Sequence, residues 1–363
     1  MYGWTWVVGL FLGATIGSFL NVVIYRMPRG ISLSNPSRSF CPNCKHELGF
    51  ADLFPLLSWL LLGGKCRYCK VKVPSRYFFV ELLNGIIWAG IWYQYLVLKG
   101  EPATAIAYAA AASALVAVIF IDLEFYIIPD QVNAFLLLTG LAYNGWLFYT
   151  HDARAMMWGM PSSVAGGLVG VFAIWFIALL GRVVFRKDAM GHGDIKMARG
   201  IGALLFPGVA VISFGLAVVL GAILGVAQVL IFKPKGNVHG AAVDGGPGTV
   251  SESAEEEEDA PPESIASLFR SGLGYVLCID VIGLFIPKLY MAWFGEDPFT
   301  PVQEMDDFEI QATMIPFGPY LALGAIVATV FQSPLVGGWN AYSKWVTGGP
   351  ALLEQIRQSS GLF

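Results

Sequence analysis

Residues 103–122 read ATAIAYAAAASALVAVIFID, and they carry no charged side chain until the final aspartate. About 20 consecutive apolar residues are enough for one helix to cross the hydrocarbon core of a bilayer. A carboxylate at the end of such a run is expensive to hold in a membrane, which makes it a candidate functional group. This stretch therefore predicts a membrane-spanning helix and a first candidate site residue, Asp122.

Similar apolar runs recur along the whole chain. The chain is 56% hydrophobic and only 13% charged, whereas about a quarter of the residues in a soluble domain are charged. We predict an all-α fold, a polytopic membrane helix bundle of about eight spans. Candidate spans lie at 4–25, 77–98, 103–122, 131–149, 163–185, 209–232 and 314–335, with a short one at 195–207 and an interrupted one at 272–294.

Positive charge in the loops predicts how the bundle is oriented in the bilayer. Residues 26–76 carry nine Lys or Arg against two acids, which marks this loop as cytoplasmic. The first apolar run ends at Arg26 without a small-residue cleavage site, so we expect a retained span rather than a removed signal peptide. Alternation of the spans from that loop places Asp122 and Asp194 on the cytoplasmic side.

Charge and composition also divide the chain into segments. Residues 233–271 are rich in Gly, Pro, Ser and acids, with seven acids and no base between 251 and 263, so we predict a disordered cytoplasmic insertion. A solvated spacer is favoured over a partner-binding tail. The remaining segments are a first span at 1–25, a cytoplasmic cysteine domain at 26–76, a membrane core at 77–232, an extra apolar segment with an acidic loop at 272–313, and a last span with its tail at 314–363.

The apolar stretch 272–294 has the length of a span, but Asp280, Pro287 and Lys288 interrupt it. We predict an interfacial or re-entrant helix here. This choice keeps residues 315–319 on the same side of the membrane as the two aspartates. Cytoplasmic accessibility of a label in the following loop, at Gln303, tests this prediction.

Four of the five cysteines form two C-x2-C pairs, Cys41 with Cys44 and Cys66 with Cys69. Two such pairs can hold a tetrahedral zinc ion, and neighbouring Lys and Arg side chains favour the thiolate form. Disulfides or free thiols are the weaker alternatives, because the cytoplasm is reducing. We predict a structural Zn²⁺ site without a direct role in catalysis, since four cysteines leave no open coordination position. Cys278 lies in an apolar stretch and is interpreted as core filler.

A second aspartate stands in a glycine-rich motif before another apolar run. Residues 190–196 read MGHGDIK, with Asp194 preceded by Gly191 and Gly193. Two carboxylates brought together at the membrane edge would share one proton, so that one draws a proton from water while the other polarises a scissile carbonyl. The glycines would remove side chains where an extended peptide approaches. Asp122 and Asp194 are thus a candidate catalytic pair.

Other polar residues near the pair have less specific interpretations. Lys196 either pairs with a carboxylate or extends to the interface, and His192 is treated as a spacer. Asp130 follows Pro129 and suits the cap of the next helix. Taken alone, two membrane aspartates support a proton-coupled transporter, which would use them as a relay, more strongly than a protease.

Several segments resemble, in order along the chain, those of the type IV prepilin peptidases. Residues 17–26 (GSFLNVVIYR), the two cysteine pairs and residues 75–81 (SRYFFVE) are similar to the opening spans and tetracysteine domain of that family. Residues 122–130 (DLEFYIIPD) and 191–196 (GHGDIK) resemble its two catalytic motifs, and 315–319 (IPFGP) a further segment. Each motif alone is weak, but their common order makes the resemblance specific.

The resemblance implies a membrane aspartic peptidase core with Asp122 and Asp194 as catalytic residues and Gly191, Gly193 and Lys196 in the active-site loop. It implies a bacterial inner-membrane enzyme whose active site faces the cytoplasm and cuts basic leaders from type IV prepilins or type II secretion pseudopilins. It also implies N-methylation of the new N-terminus with S-adenosylmethionine, and it implicates the cysteine domain in that step. The expected partners are these precursors and the lipid bilayer, without nucleic acid.

Three departures from the family pattern stand out. Glu124 stands where the family often has Asp, a change that we expect to be harmless. Residues 151–158 lengthen the connection between the two aspartates. Residues 233–310, including the apolar stretch 272–294, have no counterpart that the resemblance explains.

Overall fold

The computed structural model describes residues 3–35, 38–41, 43–186, 190–231, 264–299 and 316–338. These residues fold mostly into helices, which confirms the predicted all-α class. The strands among them form one short hairpin, in which the two-residue strand β1 (Met156–Met157) pairs antiparallel with the two-residue strand β2 (Met160–Pro161). This hairpin lies within the lengthened connection between the two aspartates.

The helices follow one another in a simple order. They are α1 (Trp6–Arg26), α2 (Leu57–Leu61), α3 (Arg76–Ile91), α4 (Pro102–Phe125), α5 (Asp130–Tyr149), α6 (Ser162–Phe185), α7 (His192–Ile231), α8 (Ile265–Val276), α9 (Ile279–Phe285), α10 (Pro287–Phe294) and α11 (Gly318–Val330). Helix α3 continues as π-helical turns over Trp92–Leu98. Short 3₁₀ turns lie at Gly3–Thr5, Phe50–Asp52 and Ala153–Ala155.

Helix α4 is the centre of the bundle. Pro102 opens the helix, where its missing N–H would have no partner in any case, and Tyr126 ends it in the left-handed conformation with φ 58°. Of its most apolar 18-residue window, 83% is buried. The alanines of α4 let α1, α3, α5 and α11 pack closely around it. The last turn of α4 therefore brings Asp122 to a place that several other helices reach.

Helix α7 carries Asp194 and is fixed by a close contact with α6. At Gly166 and Gly202 the two backbones touch, and a Cβ on either glycine would collide with the carbonyl of the other. Gly170 meets the carbonyl of Ala198 in the same way. Small residues permit such close helix approach inside a membrane. Any larger side chain here would push the first part of α7 away from α6.

Helix α7 also contains a sharp break. Phe206 has a φ of 61° and a ψ of 168°, outside the helical region, and Pro207 follows it. The two predicted spans at 195–207 and 209–232 are therefore two halves of one broken helix. Proline explains the break, because it removes a backbone donor and clashes with the preceding turn.

Four helices in the described part of the chain are long and apolar enough to cross a membrane. They lie at Gly3–Arg26, Pro102–Phe125, Ser162–Val184 and His192–Leu224. Two bent pairs, Ile265–Val276 with Ile279–Phe285 and Gly318–Val330 with Gln332–Gly338, raise the number to six if each is one span. The chain is thus a multi-pass membrane protein, while the predicted count of eight spans is not confirmed.

The apolar stretch 272–294 does not form one continuous helix. It is divided among α8, α9 and α10, and the axes of α8 and α9 differ by 72°. A straight span over this stretch is thereby excluded, and a broken span or a re-entrant element fits the bend. Helix α8 begins at Ile265, inside the segment that the sequence predicted as disordered. The rest of that insertion up to residue 263, Gln303 and the tail beyond 338 lie outside the described residues.

Candidate active site

Asp122 lies in the last turn of α4 and is buried, with 5% of its surface exposed. The backbone N–H of Gly318, at the start of α11, donates a hydrogen bond to its carboxylate. A Cβ on Gly318 would collide with Oδ2 of Asp122 and would lie 2.9 Å from Cδ1 of Ile128. The first residue of α11 must therefore be glycine if the Asp122 carboxylate is to keep this position.

Asp194 lies in the first turn of α7 and is 8% exposed. The backbone N–H of Gly191 donates a hydrogen bond to the carboxylate. The other oxygen, Oδ1, is buried and has no hydrogen-bond partner among the described residues. The carboxylates of Asp194 and Asp122 are close enough to interact electrostatically. The structure thus brings together the two aspartates that the sequence singled out.

Two of the loop glycines have different surroundings. A Cβ on Gly193 would lie 3.0 Å from Cβ of Ile128, and one on Gly191 would lie 3.4 Å from Oδ2 of Asp194. Close packing between the start of α7 and the loop after α4 therefore favours glycine at position 193. The approach of a peptide, which the sequence suggested as the reason for both glycines, stays a prediction.

Lys196 turns away from the aspartate pair. Its ammonium donates to Oδ1 of Asp130 at 2.7 Å and to the hydroxyl of Tyr290 at 2.8 Å. The Tyr290 hydroxyl also donates to Asp130. Of the two roles predicted for Lys196, pairing with a carboxylate is confirmed. The capping role predicted for Asp130 is wrong, because α5 is capped by Pro129 without a side-chain hydrogen bond and the Asp130 carboxylate binds Lys196 instead.

The sequence analysis assigned no role at the site to Arg199, Asp280, Tyr275 or Tyr290. Arg199 forms a buried, two-bond ion pair with Asp280, with distances of 2.8 and 2.5 Å. Tyr275 accepts from or donates to Nδ1 of His192 at 2.7 Å, so His192 is more than a spacer. A charged residue within an apolar stretch was the available signal for Arg199 and Asp280. The tyrosines gave no such signal, because buried tyrosines are common in any core.

Glu124, also in the last turn of α4, pairs with two arginines at the membrane edge. It contacts Arg76 at the start of α3 and Arg29 after α1, the latter at 3.7 Å. The Arg29 guanidinium also lies over the Tyr25 and Phe125 rings. Because a glutamate reaches both arginines, the replacement of the usual aspartate is compatible with the site.

The four cysteines converge in the loop between α1 and α3. Their sulfur atoms all lie within 4.8 Å of one another, and the Sγ atoms of Cys41 and Cys69 are 3.9 Å apart. A tetrahedral zinc ion with Zn–S bonds of about 2.3 Å requires sulfur separations of about 3.8 Å. The donor set and its size therefore fit a metal ion of this kind.

The two cysteine pairs share one backbone arrangement. The N–H of Cys41 donates to the carbonyl of His46, and the N–H of Cys66 donates to the carbonyl of Val71 in the same register. Lys45 and Lys70, each directly after the second cysteine of a pair, have φ values of 57° and 59°. This repeated turn aims both thiols of each pair at a common centre.

Local hydrogen bonds also favour ionised sulfur. The backbone N–H of Val71 and the amide of Asn43, at 3.6 Å from Sγ, lower the pKa of Cys69 to about 6. A thiolate is the form that ligates a metal. At Cys44 the backbone N–H of His46 acts in the same direction, but burial and the neighbouring thiols of Cys41 and Cys69 raise the pKa to about 11. Before a metal binds, the thiolate is therefore favoured at Cys69 and not at Cys44.

Two family domains match the chain. Residues 11–95 match the bacterial Peptidase A24 N-terminal domain, and residues 109–226 match the type IV leader peptidase family. The prepilin leader peptidase/N-methyltransferase of Myxococcus xanthus (strain DK1622) is 32% identical, over 93% of this chain and 92% of that relative. No solved structure matches the chain significantly.

Two further relatives match a smaller share of this chain. The prepilin leader peptidase/N-methyltransferase of Aeromonas hydrophila is 32% identical over 60% of this chain and 78% of that protein. The type 4 prepilin-like proteins leader peptide-processing enzyme of Escherichia coli O78:H11 is 34% identical over 55% of this chain and 78% of that enzyme. With both domains in order and a relative similar along nearly the whole length, this chain belongs to the type IV leader peptidase family.

Proposed function

We propose that this protein removes the basic leader from type IV prepilins or type II secretion pseudopilins, with Asp122 and Asp194 as the catalytic pair. The observation that carries the assignment is the proximity of two buried carboxylates from different helices, one of which keeps an oxygen without a partner among the described residues. Burying a carboxylate oxygen without a hydrogen-bond partner costs free energy. A protein that retains such a group in a membrane therefore uses it for a function. Relatives named as prepilin leader peptidases supply the substrate class.

The chemistry follows from the two carboxylates sharing one proton. The ionised carboxylate removes a proton from a water molecule, which attacks the scissile carbonyl carbon. The protonated carboxyl donates a hydrogen bond to the carbonyl oxygen and then its proton to the leaving amine. The N–H groups of Gly318 and Gly191 each hold one carboxylate in place, so the pair needs little reorganisation during the reaction.

The substrate's geometry fits an active site at the edge of the membrane. A prepilin carries a basic leader next to an apolar helix, and that helix would lie parallel to the spans of the enzyme. Asp122 lies in the last turn of α4 and Asp194 in the first turn of α7, so both lie at the end of a span. We place this end at the cytoplasmic face of the inner membrane, because the basic loop 26–76 lies there by the distribution of positive charge.

The protein is also expected to methylate the new N-terminus, as the names of its relatives indicate. S-adenosylmethionine is the methyl donor that this activity implies, and no residue is assigned to its binding. Cys41, Cys44, Cys66 and Cys69 would hold Zn²⁺, whose part is to stabilise the domain 26–76. Hydrolysis by the two aspartates needs neither group.

Cleavage of a defined precursor tests the proposal. Purified full-length protein in lipid vesicles should convert a prepilin into a product that lacks only the leader, identified by mass. A proton-coupled transporter, the rival function, would instead acidify the vesicle lumen without cutting the precursor. Proton flux without any cleavage would overturn the peptidase assignment.

A further inference from the structure

Residues 265–294, comprising α8, α9 and α10, form an accessory segment whose side chains contact the helix that carries Asp194. The segment is held on α6, where Nε1 of Trp175 donates to the carbonyl of Leu268 at 3.0 Å. Gly272 lies against the same indole ring, and a Cβ there would be 2.6 Å from Nε1. The accessory segment is therefore a docked part of the bundle, and its polar residues face α7.

The strongest link between the accessory segment and α7 is an ion pair. The side chains of Arg199 and Asp280 are each only 3% exposed, and two hydrogen bonds join them. Arg199 also donates to the carbonyl of Tyr275 at 2.6 Å. Removal of one partner from a buried pair leaves an uncompensated charge, which is far more costly than loss of a surface ion pair. A two-bond pair of this kind also fixes orientation.

A second link runs through Lys196. Its ammonium contacts Asp130 and the Tyr290 hydroxyl, and it lies over the rings of Tyr275, Tyr290 and Phe294 at 5.3 to 5.6 Å. An aromatic enclosure of this kind stabilises a cation that has been removed from water. The accessory segment thus supplies most of the surroundings of Lys196.

A third link joins His192 to the hydroxyl of Tyr275. His192, Lys196 and Arg199 follow each other by four and then three positions, so they lie on one face of α7. Asp194 is two positions from His192, a rotation of about 200° around the helix. The accessory segment therefore holds the face of α7 that is opposite to Asp194.

We propose that the accessory segment is a positioning element, which fixes the rotation of α7 about its axis and so keeps Asp194 directed at Asp122. The inference rests on the proposed catalytic role of Asp194, but the contacts themselves do not. The three links on one face of α7 oppose rotation of this helix about its axis. The close contact at Gly166 and Gly202 fixes the distance between α6 and α7. A displacement of about 1 Å in a catalytic group can cost a hundredfold in rate.

Two conservative variants of the full-length protein test the positioning role. Asp280→Asn keeps the shape of the side chain but removes the charge that faces Arg199. Tyr290→Phe removes only the hydroxyl that contacts both Lys196 and Asp130. Each should lower kcat for prepilin cleavage about tenfold while KM stays unchanged. Amide hydrogen exchange of residues 190–199 should become about tenfold faster in the same variants.

Tyr143→Phe is the matched control, because it removes an equally buried hydroxyl that binds Thr104, far along α4 from Asp122. Asp194→Asn is assayed in parallel. If Asp194→Asn still cleaves, the catalytic role proposed for Asp194 fails, and the exchange of residues 190–199 alone decides the positioning role. Exchange rates in Asp280→Asn and Tyr290→Phe that equal those of Tyr143→Phe would overturn it.

Discussion

The aspartate pair and the cysteine cluster are built in opposite ways. Asp122 and Asp194 come from distant parts of the chain, and helix packing brings them together at the end of the bundle. The cysteines come from two short loops with the same backbone hydrogen bonds, so local turns aim them at a common point. The first site depends on the whole bundle, whereas the second depends on two loops.

This difference decides which changes each site tolerates. Around the aspartates, a single added methyl group at a helix contact should displace one of the two carboxylates, because the interior is close-packed. Around the cysteines, many side chains are exposed, and a bound metal would supply the cohesion that a small hydrophobic core cannot. The bundle should therefore respond to steric changes and the cysteine domain to changes of its ligands.

The largest effect is expected from the aspartates themselves. Asp122→Asn and Asp194→Asn should each reduce prepilin cleavage by at least about 10³-fold, because neither amide can exchange a proton with water or the leaving amine. Asp130→Asn should be milder, since its carboxylate contacts Lys196 rather than the aspartate pair. Cleavage is measured on protein whose thermal midpoint matches the wild type. Substantial activity in either of the first two variants would exclude that residue from the mechanism.

The sequence predicted the parts of both sites that depend on local pattern. The cysteine spacing predicted the cluster because two residues between cysteines fit one turn. Asp122 and Asp194 were found because carboxylates at the ends of apolar runs are expensive. Their common location followed from counting spans, and the structure brings them together although the count itself is not confirmed.

The contacts between helices distant in the sequence could not be predicted from the sequence alone. Asp130 was assigned to a helix cap, but Lys196 lies next to it only after α5 and α7 have packed. The pairing of Arg199 with Asp280 joins helices separated by an insertion, and no local pattern specifies such a partner. Gly318 is similar, because its importance arises from Asp122 on another helix. The sequence pattern thus identifies charged residues that are costly to bury. The packing of the helices decides which partners form hydrogen bonds with them.

The next effect in size is steric and tests the dependence on close packing. Gly318→Ala should lower kcat about a hundredfold, because the new methyl group must displace the Asp122 carboxylate or move α11. Gly145→Ala is the matched control, since nothing lies within 4 Å of the added Cβ. Cleavage is measured for both under the same conditions. Equal activity of the two variants would contradict the prediction, because it would show that a methyl group at position 318 does not displace the Asp122 carboxylate.

Removal of the metal tests whether the cysteine domain depends on its ligands. We expect about one zinc ion per chain, and Cys41→Ser should release it and speed amide exchange throughout residues 38–73. Peptidase activity should fall less than methylation, because the aspartates need no metal. Cys278→Ser is the control, since Cys278 lies outside the cluster. Metal analysis that finds no zinc and two disulfides would contradict both the site and its cytoplasmic location.

The smallest effect concerns Asp52, which links the two loops of the cysteine domain. It accepts hydrogen bonds from Nε of Arg67 at 2.5 Å, from the Tyr68 hydroxyl at 3.0 Å and from the N–H of Gly49 at 3.1 Å. Burial acts in the opposite direction, but these bonds hold the pKa of Asp52 below its ordinary value. The carboxylate therefore stabilises the domain whenever it is ionised.

Asp52→Asn should destabilise this domain by about 1 kcal/mol or less, because Arg67 is half exposed and solvent screens the charge. A depressed pKa makes the contribution complete above the unfolded value of about 3.9 and lost only as the pH falls through the lower folded value. The difference in the logarithm of the amide exchange rate between wild type and Asp52→Asn, measured at the same pH, should thus stay constant from pH 8 to pH 5. Arg38→Gln, which breaks the exposed pair with Glu47, should have no measurable effect. A difference that shrinks between pH 8 and pH 5 would show that another group, rather than the Asp52 carboxylate, joins the loops.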